Sequence, residues 1–70
     1  MKYEKKHHII FVERAKEAGF EVEHYHGRNF WEGPAVRVRD SYEAQELIRA
    51  TSMRLQSDNM GLGFIYYPVG

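Results

Sequence analysis

FEVEHYHGRNFWEGPAVRVRD, residues 20 to 40, decides the fold. At one end Phe20 and Val22 alternate with Glu21 and Glu23; at the other, Val36 and Val38 alternate with Arg37 and Arg39. Alternation of this kind turns one set of side chains to a core and the other to water. Residues 20 to 25 and 35 to 40 are therefore expected to be two half-buried strands joined by a long loop. With Val22 opposite Val38, the same register puts Glu21 opposite Arg39, Glu23 opposite Arg37 and His24 opposite Val36. Opposite charges across antiparallel strands contribute roughly 0.2 to 1 kcal/mol per pair, so pairing accounts for these charges without a ligand.

Helices are expected on either side. Residues 4 to 18, EKKHHIIFVERAKEA, run up to Gly19, a residue suited to the left-handed position just past a helix. On a helical wheel Tyr3, His7, Phe11, Ala15 and Ala18 share a face, while Ile9 falls among the charged residues. A strand over residues 7 to 12 competes, but no turn residue divides it from VERAKEA. The second helix starts at Asp40, with Glu43 placed as in a capping box, and carries a stripe of Ala44, Leu47, Ile48, Thr51 and Leu55 to about Gln56. Residues 57 to 63, SDNMGLG, stop it, and FIYYP is the last strand, Pro68 suiting an end or an edge.

The expected fold is thus a single α+β domain over residues 1 to 70: a two-layer sandwich in the order α-β-β-α-β. Its three strands form a mainly antiparallel sheet in the order 2-1-3, with two helices on one face. A parallel pairing of the third strand with the second is the alternative. Following chain direction, the 26 to 34 and 57 to 63 loops emerge from one pole of the molecule.

Composition narrows the function. Ten basic residues balance ten acidic ones, for a formal net charge of zero. Phosphate neutralisation supplies most nucleic-acid affinity, so a nucleic acid is not the expected partner. No run approaches the ~20 apolar residues of a membrane span, and no cleavable leader follows the start, which gives the expectation of a cytoplasmic protein. Cysteine is absent, removing disulfides and thiolate zinc sites. Domains below ~70 to 80 residues commonly need such a staple or self-association. Zero net charge and the unbroken Ile9, Ile10, Phe11, Val12 run point to a homodimer, with Ile9, Val12, Tyr25 and Tyr67 as its contacts.

The 26 to 34 loop is the leading site. Phe30 and Trp31 are large, rigid contact surfaces, and Arg28 and Asn29 can orient a polar group above them. A ring that folds back to close the small core is the competing account. With Asp58 and Asn59 of the second loop, these residues define a non-catalytic interaction module, a small accessory regulator binding a protein partner. The alternative is a small-ligand or nucleotide binder in which Arg28 meets an anion and Trp31 stacks on a ring. Gly61 and Gly63 precede a strand rather than a helix N-terminus, so they make no phosphate-binding motif. No serine has a histidine and an orienting carboxylate implied beside it, and neither catalysis nor a cofactor is expected. His24 and His26 point the same way on a strand, and His7, His8 and His26 form a weak metal alternative without a known ligand spacing.

Overall fold

Gly19 takes φ +93°, ending α1 (Lys6–Glu17) where the sequence places its stop. The fold, known from a computed structural model that describes residues 3 to 27, 30 to 59 and 63 to 69, continues with β1 (Glu23–His26) and β2 (Glu32–Val38). Asp40 then caps α2 (Ser41–Thr51): its carboxylate accepts from the Glu43 amide at 2.9 Å, while the Glu43 carboxylate accepts from the Arg39 amide at 2.8 Å. This is the reciprocal logic of a capping box, with the return bond made one residue before the cap.

The far end of α2 departs from the expectation. Ser52 adopts the left-handed conformation, φ 52°, and its amide bonds the Ile48 carbonyl. The Arg14 guanidinium donates to the Thr51 carbonyl at 2.6 Å, satisfying a helix-end acceptor from α1. Residues assigned to the helix tail and the following loop instead form β3 (Leu55–Asn59), which turns back into β4 (Phe64–Pro68). The fold is α+β with four strands rather than three, all pairings antiparallel, in the order β1-β2-β4-β3. Leu55 concealed the extra strand. It packs against the core in either conformation, being four residues after Thr51 on a helix and inward on a strand.

The extra reversal moves the second loop. β2 runs from Glu32, opposite His26, to Val38, opposite Phe64. His26 and Glu32, which flank the first connection, therefore lie at one end of β2, and Asn59 and Phe64, which flank the second, lie at the other, so the two hairpins open from opposite poles. Gly63 is required where it is: φ is +122°, and an added Cβ would lie 2.8 Å from the Val38 carbonyl oxygen.

The β1–β2 register is slipped by two residues from the expected one, with Glu23 opposite Ala35 and His24 opposite Pro34. A two-residue slip keeps every side chain on its face. Glu23 still reaches Arg37 diagonally, at 3.2 Å, whereas Arg39 pairs with Glu43 at 3.6 Å instead of Glu21. β2 also changes neighbours midway: Glu32 to Ala35 pair with β1, and Val36 to Val38 pair with β4. Continued upward, the second register would bring Pro34 opposite Pro68, neither of which has an amide proton to donate. The ladder stops short of them.

Two clusters result. Phe11 and Ala15 of α1, Ala44 and Leu47 of α2, and Val36 and Val38 of β2 form the first, with Val12, Phe20, Val22, Met53, Leu55 and Tyr66 against it. Tyr25, Ala35, Ile65 and Tyr67 form the second, joined by Trp31 and Val69. The buried face of α1 is His8, Phe11 and Ala15, turned about one residue from the expected His7 face. Ile9 is exposed, as its wheel position implies.

Candidate functional site

The 27 to 31 connection is closed by the Gly27 amide, which donates to the Trp31 carbonyl at 2.7 Å. Its two aromatics have opposite fates. Trp31 folds back and packs on Tyr67, with ring centroids 4.3 Å apart, and contacts Tyr25 and His8 at 6.4 and 5.6 Å. Phe30 is fully exposed and held at φ 60°. A phenylalanine in that region costs roughly 1 to 2 kcal/mol. Arg28 and Asn29, expected beside these rings, lie outside the described residues.

Asp58 is on β3, and its role is internal. Its carboxylate accepts from the Tyr25 hydroxyl at 2.7 Å and from the Tyr67 hydroxyl at 3.4 Å. Both tyrosines are buried, so they cannot supply the exposed dimer contacts the sequence suggested. Alternation along FIYYP turns Tyr66 and Tyr67 to opposite faces, and Trp31 covers the face that carries Tyr67. Val12 is half-buried against the first cluster, leaving Ile9 as the exposed member of the proposed contact set. Asn59 is the last residue of β3.

His8 lies under Trp31 and against Gly33. It is 4% exposed, and its buried Nε2 has no hydrogen-bond partner among the described residues. Burial, followed by the nearby positive charges of His7 and Lys5, pushes its pKa below the ordinary imidazole range. The fold therefore holds His8 neutral, while the unfolded chain takes up this proton near pH 6.5. The contribution is complete above about pH 6.5 and is lost as pH falls from there toward the depressed folded value. The melting temperature is expected to decline over that window, and less so in His8→Phe. That variant also deletes an unpartnered buried nitrogen and is expected to gain roughly 1 kcal/mol near neutrality. Thermal melts of both proteins across the pH range check this, and parallel acid limbs would refute it.

The register also brings His24, His26 and Glu32 together. His26 and Glu32 are direct cross-strand partners, and His24 is diagonal to Glu32. Glu32 Oε1 is 3.5 Å from His24 Nε2, and Oε2 is 3.4 Å from His26 Nδ1. One ligand atom from each residue can be chosen so that all lie within 4.8 Å of one another. The Tyr3 hydroxyl is 3.3 Å from His24 Nδ1, and its ring stacks on the imidazole at 22°. Burial, then the negative charge of Glu32, raises the Tyr3 pKa, so this hydroxyl keeps its proton.

This grouping corrects the histidine set expected from sequence. His26 belongs to it, but His8 is in the core and His7 packs edge-on against His8 at 4.4 Å. Glu32 was missed because the unslipped register left it in the loop and set His24 against Val36. The spacing of Glu32 from His26 across a short loop was the available signal.

Among the described residues no helix is long and apolar enough to cross a membrane. Comparison with protein families, curated proteins and solved structures found no match to this chain.

Proposed function

We propose that this chain is a small non-catalytic interaction module that binds a protein partner, a second copy being the first to test, through the tip of the β1–β2 hairpin. The observation that supports this is Phe30: an exposed aromatic held at a left-handed φ of 60°, while the adjacent Trp31 is committed to the core. Folding stability alone gives no reason to keep a phenylalanine there. Exposed aromatics of this kind are typical anchors of protein interfaces. Exposed Ile9, on α1, is the second apolar contact in this reading. Asp58 lines a cavity with Phe30 and Trp31, its carboxylate engaged by the Tyr25 and Tyr67 hydroxyls, and Asn59 follows it at the end of β3.

The test separates binding from folding. Phe30→Gly removes the strain and the ring together. It is expected to raise stability by roughly 1 kcal/mol, and to lower self-association measured by light scattering at high protein concentration, or recovery of a partner on an affinity column. Phe30→Ala removes only the ring and is expected to give the same loss of binding. A wild type that stays monomeric and recovers the same proteins as both variants would end this proposal. The small-ligand reading, with Trp31 stacking on a ring, is less well supported, because Tyr67, Tyr25 and His8 already pack against that indole.

A further inference from the structure

We infer that His24 Nε2, His26 Nδ1 and one carboxylate oxygen of Glu32 form a three-donor site for a divalent transition-metal ion, clipping β1 to β2 beneath the hairpin loop. The inference does not rest on the partner reading.

Distance is the first argument. A charge-assisted hydrogen bond between imidazolium and carboxylate would bring nitrogen and oxygen to about 2.7 to 2.9 Å. Here the two separations are 3.5 and 3.4 Å. Donors bound tetrahedrally at ~2.0 to 2.1 Å from zinc lie roughly 3.3 to 3.4 Å from one another. Each imidazole thus stands about one tetrahedral edge from a Glu32 oxygen, His24 Nε2 from Oε1 and His26 Nδ1 from Oε2, and a turn of the carboxylate would set one oxygen against both. One ligand atom from each residue can be chosen with all three within 4.8 Å of one another, and the side chain of His26, 73% exposed, has room to adjust.

The supporting shell is the second argument. A metal-bound imidazole is normally oriented by a partner on its other nitrogen. The protonated Tyr3 hydroxyl, 3.3 Å from His24 Nδ1, can accept that N–H, fixing the tautomer whose bare Nε2 faces Glu32. Tyr3 reaches this position from the segment before α1, so the ion would also tie that segment to the hairpin.

Donor chemistry sets the class of ion. Two imidazoles and one carboxylate suit zinc and the other late first-row divalent ions, not magnesium or calcium. Three protein donors leave at least one position for water or an incoming ligand. The ligands come from adjacent strands, so binding opposes separation of the hairpin.

Titration of the full chain with Zn(II), followed by calorimetry and thermal melting, tests the site. One equivalent is expected, with the melting temperature raised by roughly 10 to 20 °C at free zinc 100-fold above Kd, and no response to Mg(II). Co(II) in its place is expected to give the intense visible absorption of a four- or five-coordinate ion. His26→Ala and Glu32→Gln change side chains at least half exposed. Each is expected to fold and to bind zinc at least 10-fold more weakly. Tyr3→Phe, which touches no metal, is expected to weaken binding roughly 10-fold, and His7→Ala to leave it unchanged. Absence of saturable binding, retention of full affinity in His26→Ala and Glu32→Gln, or an equal loss in His7→Ala would overturn the assignment.

Discussion

Phe11→Ala is expected to remove a large part of the folding stability. Phe11 is wholly buried and links α1 to both α2 and β2 through the first cluster. Truncating a buried phenylalanine costs about 3 to 5 kcal/mol. A 70-residue chain at roughly 0.05 to 0.15 kcal/mol per residue holds only about 4 to 10 kcal/mol in total. With no cysteine for a disulfide, there is little reserve. Urea titration followed by far-ultraviolet circular dichroism measures the loss, and Phe11→Leu is expected to recover most of it. A loss under about 1 kcal/mol would mean that the two clusters carry the fold independently.

The second large effect is expected from adding one methyl group. A Cβ on Gly33 would stand 2.7 Å from His8 Cε1, 3.1 Å from His8 Nδ1 and 3.0 Å from Trp31 Cη2. Neither ring can yield easily, since His8 is buried and Trp31 is packed against Tyr67. Gly33→Ala is expected to destabilise by roughly 2 to 3 kcal/mol and to lift the indole, seen as a red shift of its emission. Because the clash is shared, Gly33→Ala combined with His8→Ala is expected to cost less than the sum of the two single changes. Strict additivity would show that Gly33 serves the backbone and not the packing of the rings.

Much of this architecture was legible in the sequence. The Gly19 stop and the Asp40 cap each carry a local signal and are found where the pattern places them, and the alternation gives the two antiparallel strands of the hairpin but shifts their bounds, 23–26 and 32–38 in place of 20–25 and 35–40. β3 was not legible: Gln56, Ser57, Asp58 and Asn59 have turn chemistry, and Leu55 alone fits a helical stripe as well as a strand. One missed reversal then misplaced the whole 57 to 63 loop. At the site, the sequence shows residue types but not which of them stand together. Neighbouring Phe30 and Trp31 look alike in sequence, and only the space above Tyr67 decides which one turns inward. His24 and His26 were seen to share a face, but recognising Glu32 as their third member required the exact register.

The change of neighbours within β2 means that the sheet behaves as two ribbons sharing one strand end to end. At the upper half, where Pro34 and Pro68 interrupt the ladder, no β2–β4 pairing is found among the described residues, and the contacts of Trp31 and Tyr25 with Tyr67 help to bridge the gap. The hairpin is therefore tethered to the second ribbon in this half by side chains, the rings of Trp31 and Tyr25 against Tyr67 and the Tyr25 hydroxyl on Asp58, so that the seat of its tip depends on rings and one carboxylate where a backbone ladder would otherwise run.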